Sequence, residues 1–259
     1  MIDIRTLKNI KAVVFDLDGT VYYGNTLIDG VGDLTDFLEA KGIRVLYFTN
    51  NSAATRADIF EKLSGMGLSL HLGQVYNSAY AAAIYAKKNR LKDVFCIGSP
   101  GLIKELAAAG LNVVSGPEKA RSLVVGLDKE FNYEKLSKAL TALQRGCRFV
   151  VCNRDIHYPV EGKRLLPGCG PIAAAIECSY GVEADFVVGK PNSYMLELLS
   201  ADHDLKRRDI LVVGDTYSSY IAMAKHFHCP SVLITDKKMN DEKDVMVLRK
   251  ITGIRKLFK

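Results

Sequence analysis

The sequence predicts an α/β fold in which a doubly wound parallel sheet carries helices on both faces. Short apolar runs alternate with helical stretches along the chain, an order that is typical of parallel strands joined by right-handed crossovers. Hydrophobic residues make up 48% of the 259 residues and charged residues 25%, which excludes a disordered or coiled-coil chain. No repeat, low-complexity segment or linker rich in proline and serine interrupts the alternation.

Each element is predicted from its own local pattern. In the first helix Leu34, Phe37 and Leu38 recur at helical spacing, and Gly42 is a typical stop signal. Ser78 is a typical N-cap for the alanine-rich helix that follows it. The predicted strands are 12–15, 43–48, 94–97, 123–127, 149–152, 186–188, 210–213 and 232–235. The predicted helices include 33–41, 55–66, 78–88, 133–144, 172–179, 192–199 and 220–225.

Charge and cysteine usage exclude several classes of function. Lysine and arginine number 35 against 29 aspartates and glutamates, and the net charge of +6 is scattered rather than gathered into a nucleic-acid-binding groove. The six cysteines form no CxxC pair, so neither a zinc finger nor a disulfide framework is expected. No apolar run approaches the roughly 20 residues of a membrane span, and no signal-peptide pattern begins the chain, so we expect a cytoplasmic protein.

Four of the apolar runs end directly in polar residues. The first two lead into Asp16-Leu17-Asp18 and Thr49-Asn50-Asn51, and two later runs lead into Gly189-Lys190-Pro191 and Gly214-Asp215-Thr216. Because ligands bind at the carboxyl ends of parallel strands, we expect these four clusters to meet at one edge of the sheet.

This combination of side chains predicts phosphoryl transfer assisted by a cation. Clustered carboxylates repel one another unless a cation neutralises them, and a few hard oxygen ligands suit Mg²⁺. A lysine, a hydroxyl and amides suit a phosphoryl group. A carboxylate can attack phosphorus and form an aspartyl-phosphate. Asp18, two residues beyond Asp16, can protonate the leaving oxygen and afterwards activate water.

Phe15-Asp16-Leu17-Asp18-Gly19-Thr20 resembles the first motif of the haloacid dehalogenase (HAD) superfamily of phosphatases. The resemblance implies that Asp16 is the nucleophile and that Asp18 is the acid/base residue. It also implies that Thr49 is the second-motif hydroxyl, Lys190 the third-motif lysine and Asp215 the fourth-motif metal ligand. The implied ligands of Mg²⁺ are therefore Asp16, the backbone carbonyl of Asp18, and Asp215.

Three further segments resemble the NagD and p-nitrophenyl-phosphatase-like branch (subfamily IIA) of that superfamily. They are residues 49–52 together with Arg56, residues 166–170, and residues 188–191. Asn153-Arg154-Asp155 resembles an Asn-x-Asp segment that faces the active-site entrance in this branch, and an Asx-turn that begins a loop is the alternative. The residues implied to bind the substrate, a small phosphorylated metabolite, are Asn50, Asn51, Asn153 and Asp155.

The separation of Thr49 from Lys190 along the chain predicts an inserted domain. It is far longer than one crossover needs, whereas the other intervals between the motifs have the size of single βα units. We therefore expect a HAD-like core over residues 1–88 and 185–259 and an inserted α/β cap (C2-type) over residues 89–184. The branch often dimerises through such a cap, so the resemblance implies a homodimer, and neither nucleic acid nor a membrane is expected as a partner.

One position departs from the branch. Its members have a second acid five residues after the fourth-motif aspartate, and Tyr220 stands at that position in this chain. That acid helps to orient the water shell of the metal and the lysine, so we expect a weaker metal affinity.

Two functions stay open at this point. The first is a Mg²⁺-dependent phosphatase of small phosphorylated metabolites, with p-nitrophenyl phosphate as an artificial substrate. The second is a catalytically weak or inactive HAD-like protein that binds a phosphorylated ligand. A dinucleotide site at residues 168–173 is not favoured, because the residues before that glycine turn do not have the sequence pattern of a strand.

Overall fold

The computed structural model describes residues 9–159, 164–237 and 245–258. Residues 1–8, on which the prediction of a missing signal peptide rests, lie outside the described residues. The chain divides into two compact units. Unit 1 comprises Met1–Thr49, Phe60–Tyr76 and Lys190–Lys259, and unit 2 comprises Asn50–Ile59 and Asn77–Gly189.

Strands and helices alternate over the described residues, as the sequence predicts. The strands are Ala12–Asp16 (β1), Tyr22–Tyr23 (β2), Thr26–Leu27 (β3), Arg44–Thr49 (β4), Val75–Asn77 (β5), Val94–Ile97 (β6), Val113–Val114 (β7), Ser122–Val125 (β8), Arg148–Val151 (β9), His157–Pro159 (β10), Leu165–Pro167 (β11), Phe186–Val187 (β12), Ile210–Gly214 (β13), Ser231–Ile234 (β14) and Met246–Leu248 (β15). The α-helices are Val31–Ala40 (α1), Arg56–Gly65 (α2), Ser78–Lys88 (α3), Pro100–Ala108 (α4), Tyr133–Gln144 (α5), Cys169–Tyr180 (α6), Tyr194–Asp202 (α7) and Ala222–Phe227 (α8).

Unit 1 is built around a six-stranded sheet with the order β15-β14-β13-β1-β4-β5. Strand β1 lies inside this sheet and pairs in parallel with β13 and with β4. All five residues of β1 are buried, as expected for a strand of a parallel sheet that is covered on both faces. In the register of β1 and β4, Asp16 lies opposite Phe48, so Asp16 and Thr49 reach the same carboxyl edge.

Unit 2 has a parallel sheet of its own, with the order β12-β9-β8-β6-β7. Its core is formed by apolar side chains of these strands and of helices α5 and α6, with Leu123, Phe149 and Ile176 among the buried residues. The strands β10 and β11 form a separate antiparallel hairpin in this unit.

The prediction of an α/β fold with parallel sheets is confirmed, but the strand that precedes Lys190 lies in a different sheet from the one expected. Strand β12 pairs with β9 of unit 2, whereas the expectation places it beside the strands that end at Asp16 and Asp215. An apolar run predicts that a strand exists, but the partner of the strand depends on tertiary packing. Lys190 is therefore held in unit 1 by a loop and not by the end of a strand of its sheet.

The boundaries of the two units differ from the predicted domain bounds. The sequence places α3 in the core, whereas the structure places α3 and Asn50–Ile59 in unit 2. Helix α3 packs against α4, and its buried residues are mostly alanines. Its N-cap is Asn77, whose Oδ1 accepts a hydrogen bond from the backbone N–H of Tyr80 over 2.9 Å, so the cap predicted at Ser78 is wrong by one residue.

The helix predicted at 220–225 has a different form. A π-helical segment, Tyr217–Ile221, precedes α8. Throughout the part of the chain that the structure describes, every helix is too short or too polar to cross a bilayer. A homodimer formed through the cap stays a prediction.

Candidate active site

Asp16 ends strand β1 of unit 1 and is buried. The backbone N–H of Leu17 donates a hydrogen bond to Oδ1 of Asp16 over 2.7 Å. The Nζ of Lys190, which is also buried, lies 3.5 Å from the same oxygen. Two of the predicted site residues, far apart along the chain, are therefore an ion pair at the carboxyl edge of the sheet.

The pairing of β13 with β1 places Asp215 near Asp16, and the loop after β1 packs closely on the carboxylate of Asp215. Gly19 in this loop has a φ of +85°, and a Cβ at this position would overlap the carboxylate of Asp215, so only glycine fits here. Burial is the largest cause that raises the pKa of Asp16 well above its usual range, and the negative charge of Asp215 raises this pKa further. The buried carboxyl group of Asp16 therefore lies beside a second, half-buried carboxylate.

Asp18 is hydrogen-bonded to Tyr22 and lies within the electrostatic influence of Lys62, two residues that no sequence motif marks. The hydroxyl of Tyr22 donates to Oδ2 of Asp18 over 3.3 Å, and the Nζ of Lys62 lies 3.8 Å from the centroid of the Tyr22 ring. Desolvation raises the pKa of Asp18, whereas Lys62 and the Tyr22 hydroxyl lower it. A carboxyl group with a raised pKa suits a residue that must carry a proton in part of a reaction. No sequence pattern joins Lys62 to Tyr22, because they belong to separate elements.

Thr49 ends β4 and is buried. It follows Phe48, the residue that lies opposite Asp16 in the register of β1 and β4. The second-motif hydroxyl is therefore at the same edge as the predicted nucleophile. The predicted site residues that unit 1 brings to this edge are Asp16, Asp18, Thr49, Lys190 and Asp215.

Tyr220 contacts both the predicted nucleophile and the predicted lysine. Its buried ring packs on Gly214, where a Cβ would overlap the ring. Its hydroxyl donates to Oδ1 of Asp16 and lies 3.2 Å from the backbone oxygen of Phe48. The Nζ of Lys190 lies 3.3 Å from the centroid of the ring, a cation–π contact. Tyr220 therefore places a phenol beside Asp16 and Lys190, at the position where the resemblance implies a carboxylate.

The donor set at this edge fits a hard divalent cation. The ligands that the resemblance implies are the carboxylates of Asp16 and Asp215 and the backbone carbonyl of Asp18, all of them hard oxygen donors. Over residues 9–159, 164–237 and 245–258, no group of three or more His, Cys, Asp or Glu side chains is arranged to hold a metal. Two carboxylates and one carbonyl leave positions for waters and a phosphate oxygen, which is a usual arrangement for Mg²⁺.

The predicted substrate-binding residues lie in unit 2 and bond mainly to one another. Nδ2 of Asn50 donates to Oδ1 of Asp155 over 2.8 Å, and Nδ2 of Asn153 donates to the backbone oxygen of Asn50 over 2.6 Å. Oδ1 of Asn153 accepts from the backbone N–H of Asp155 over 3.1 Å, which is the Asx-turn contact. Oδ1 of Asn51 accepts from the backbone N–H of Ala53 over 2.8 Å. Substrate binding by these four residues stays a prediction.

Comparison with known families matches most of the chain. Residues 13–112 match the family described as haloacid dehalogenase-like hydrolase, and residues 187–248 match the HAD-hydrolase-like family.

Individual relatives and solved structures are also similar to this chain. It is 38% identical over 216 residues to the acid sugar phosphatase of Staphylococcus saprophyticus, covering 83% of this chain and 82% of that protein. The 4-nitrophenylphosphatase of Thermotoga maritima superposes with a TM-score of 0.89 at 28% identity, covering 97% of this chain and 98% of that one. For the p-nitrophenyl phosphatase of Archaeoglobus fulgidus the TM-score is 0.88 at 29% identity, covering 96% and 99%.

Proposed function

This chain belongs to the haloacid dehalogenase-like hydrolases as a phosphatase, and we propose that it hydrolyses small phosphomonoesters, among them sugar phosphates and p-nitrophenyl phosphate. The activities named for its relatives support this substrate class. The observation that carries the proposal is the contact of Lys190 with Asp16 beside Asp215 at one sheet edge.

Asp16 is the proposed nucleophile. A carboxylate oxygen of Asp16 forms a bond to phosphorus while the bond from phosphorus to the alcohol oxygen breaks, which leaves an aspartyl-phosphate. Asp18 gives its proton to the departing oxygen and then takes a proton from the water that attacks phosphorus. This second step breaks the bond to Asp16 and releases phosphate. The Thr49 hydroxyl and the Lys190 ammonium bind the phosphoryl oxygens as their charge develops.

Phosphatases of the HAD family generally use a divalent metal ion, and we propose Mg²⁺ for this chain. The proposed ligands are Asp16, Asp215 and the backbone carbonyl of Asp18. When bound, the ion supplies positive charge to the carboxylates and to the phosphoryl group. The raised pKa of Asp16 supports this assignment, because it reflects burial and excess negative charge.

The test is an assay of the purified protein on p-nitrophenyl phosphate and on sugar, nucleotide and cofactor monophosphates, with Mg²⁺ or with EDTA. We expect turnover with Mg²⁺ and a loss of at least about a thousand-fold in Asp16→Asn, because the nucleophile is removed. Asp33→Asn, which changes an exposed carboxylate on α1 of the same unit, serves as the control. Equal turnover by the wild type and by Asp16→Asn on every substrate would contradict the proposal.

A second candidate function is that of a catalytically weak protein that binds a phosphorylated ligand. The hydroxyl of Tyr220 on Oδ1 of Asp16 favours it, because this hydrogen bond occupies the proposed nucleophile. Under this alternative, calorimetric titration would detect binding of a sugar phosphate from the panel while no phosphate is released.

A further inference from the structure

The chain passes between the two units next to two residues of the proposed site. The first segment of unit 2 begins at Asn50, directly after Thr49. Its second segment ends at Gly189, directly before Lys190. A single peptide bond therefore joins each of the two residues proposed to bind the phosphoryl group to unit 2.

Asn50 is fixed inside unit 2 through its backbone and through its side chain. Its backbone oxygen accepts hydrogen bonds from Nδ2 of Asn153 and from Oγ of Ser78, both over 2.6 Å. Its own Nδ2 donates to Oδ1 of Asp155 over 2.8 Å. Asn50 and Asn153 are only 5% and 2% exposed. Bulk water therefore has little access to these side chains and does not replace their hydrogen bonds when they are lost.

Gly189 lies against the same side chains. Its backbone N–H donates to the backbone oxygen of Cys152 over 2.7 Å. A Cβ at Gly189 would lie 2.5 Å from Oδ1 of Asn50 and 2.8 Å from Cβ of Asn153, closer than real Cβ contacts allow. The backbone that leads to Lys190 therefore packs directly on the residues that hold the backbone after Thr49.

We propose that Asn50, Asn153 and Asp155 form a clasp that positions Thr49 and Lys190 for phosphoryl transfer. Inside unit 2, the clasp holds Asn50 close to Gly189. Asn50 directly follows Thr49, and Gly189 directly precedes Lys190. Both polar atoms of the Asn153 side chain are used within it, since Nδ2 donates to Asn50 and Ser78 and Oδ1 accepts from Asp155. The inference rests on the function proposed for Thr49 and Lys190, and it makes the three clasp residues positioning residues.

Two substitutions at Asp155 separate positioning from substrate binding. Asp155→Ala removes the acceptor of the Asn50 side chain, whereas Asp155→Asn keeps an oxygen at that place and removes the charge. With p-nitrophenyl phosphate and Mg²⁺, we expect Asp155→Ala to lower kcat about ten-fold or more at a similar KM, because small misplacements of positioned groups slow chemistry strongly. We expect Asp155→Asn to recover most of this kcat. A rise in KM of similar size in both variants would overturn the clasp.

The matched control is Asn112→Ala. It breaks an exposed hydrogen bond of the same type and of the same 2.8 Å length, between Asn112 and Asp93 of unit 2. We expect its kcat to equal that of the wild type, and an equal loss of kcat in Asn112→Ala and Asp155→Ala would overturn the clasp. If Asp155→Ala does not fold, Ser78→Ala replaces it, since it removes one of the two donors to the backbone oxygen of Asn50.

Backbone amide exchange tests the clasp without any activity. We expect the amide of Gly189 to exchange about ten-fold faster or more in Asp155→Ala than in the wild type, and at the wild-type rate in Asn112→Ala. If the wild type turns over no substrate, the proposed function fails while faster exchange still supports the clasp. Unchanged exchange at Gly189 overturns the clasp whatever the activity.

Discussion

Tyr220 changes the electrostatics of the site at the scale of a single residue. A carboxylate at this position would attract Lys190 by charge, whereas the ring of Tyr220 offers a cation–π contact worth about 0.5–2 kcal/mol. The hydroxyl donates to Oδ1 of Asp16, and a hydrogen bond to a nucleophilic oxygen lowers its reactivity. Lys190 is therefore flanked by the ring of Tyr220 and by the carboxylate of Asp16, while the hydroxyl of Tyr220 restrains the nucleophile.

Two variants of Tyr220 test these contributions. Tyr220→Phe keeps the ring beside Lys190 and removes the hydroxyl from Asp16, so we expect kcat to rise about two- to ten-fold, the value of one hydrogen bond. Tyr220→Asp restores the acid of the branch, so we expect faster turnover and half-maximal activity at a lower Mg²⁺ concentration. Steady-state kinetics over a range of Mg²⁺ concentrations measure both effects. If both variants behave as the wild type, position 220 does not control Asp16.

At the scale of elements, the ends of buried strands were more predictable than the pairing of those strands. Asp16 and Asp215 were predictable because a polar residue directly after an apolar run marks a strand end. The sheet of β12, which precedes Lys190, was not predictable, because strand pairing is decided by contacts distant in sequence. The π-helical turn before α8 also escapes prediction, because hydrophobic periodicity reports only the regular helix.

Glu177 joins helix α6 to the loop that contains Asn153 and Asp155 of the clasp, and this interaction depends on pH. Nη1 and Nη2 of Arg154 donate to the two carboxylate oxygens of Glu177 over 2.8 and 2.6 Å, and the backbone N–H of Ala184 donates to Oε1 over 2.8 Å. The hydrogen bonds from Arg154 are the largest cause that lowers the pKa of Glu177. The unfolded chain therefore binds this proton more tightly than the folded chain does.

Glu177→Gln is expected to lower the free energy of unfolding at pH 7 by about 1 kcal/mol, a modest value because the partly exposed Arg154 is screened by solvent. The stabilisation by Glu177 is complete above the unfolded pKa of about 4.3 and is lost as the pH falls through the lower folded pKa. Denaturant unfolding of both proteins between pH 7 and pH 3 measures this difference. It should shrink toward pH 3, and a difference that is constant with pH would contradict the assignment.

Glu134→Gln provides the control for this experiment. Glu134 also pairs with a cation, Lys138, over 2.6 Å, but this i,i+4 pair lies on the exposed face of α5. Surface pairs contribute little to stability, so the control should change the unfolding midpoint less than Glu177→Gln does.

At the scale of the whole molecule, the sequence predicted an insertion between Thr49 and Lys190 but not the bounds of unit 2. Both units are α/β, so the alternation of strands and helices continues through the boundary unchanged. The alanine-rich α3 has no pattern that assigns it to either unit. The clasp was also beyond prediction, because Asn50 meets Asn153 and Asp155 only through the fold of unit 2. The positions of Asp16, Thr49 and Asp215 in unit 1 were predictable, because each one stands at the end of an apolar run.

Metal binding should stabilise the whole protein. Without a cation, the buried Asp16 carries the cost of burial and of the neighbouring charge of Asp215, as its raised pKa shows. A cation that binds only the folded state adds about 2.7 kcal/mol at a concentration of 100 times Kd. At about 2–4 °C per kcal/mol for a chain near this size, Mg²⁺ is expected to raise Tm by several degrees. Thermal unfolding in Mg²⁺ and in NaCl of equal ionic strength measures this rise.

Asp215→Asn is the decisive comparison for that experiment, since it removes one proposed ligand charge and the main charge repulsion on Asp16. Without Mg²⁺ we expect this variant to be at least as stable as the wild type, because the charge of Asp215 no longer opposes the buried carboxylate of Asp16. With Mg²⁺ we expect it to lose most of the rise in Tm. An equal rise in the wild type and in Asp215→Asn would mean that the ion binds elsewhere on the protein.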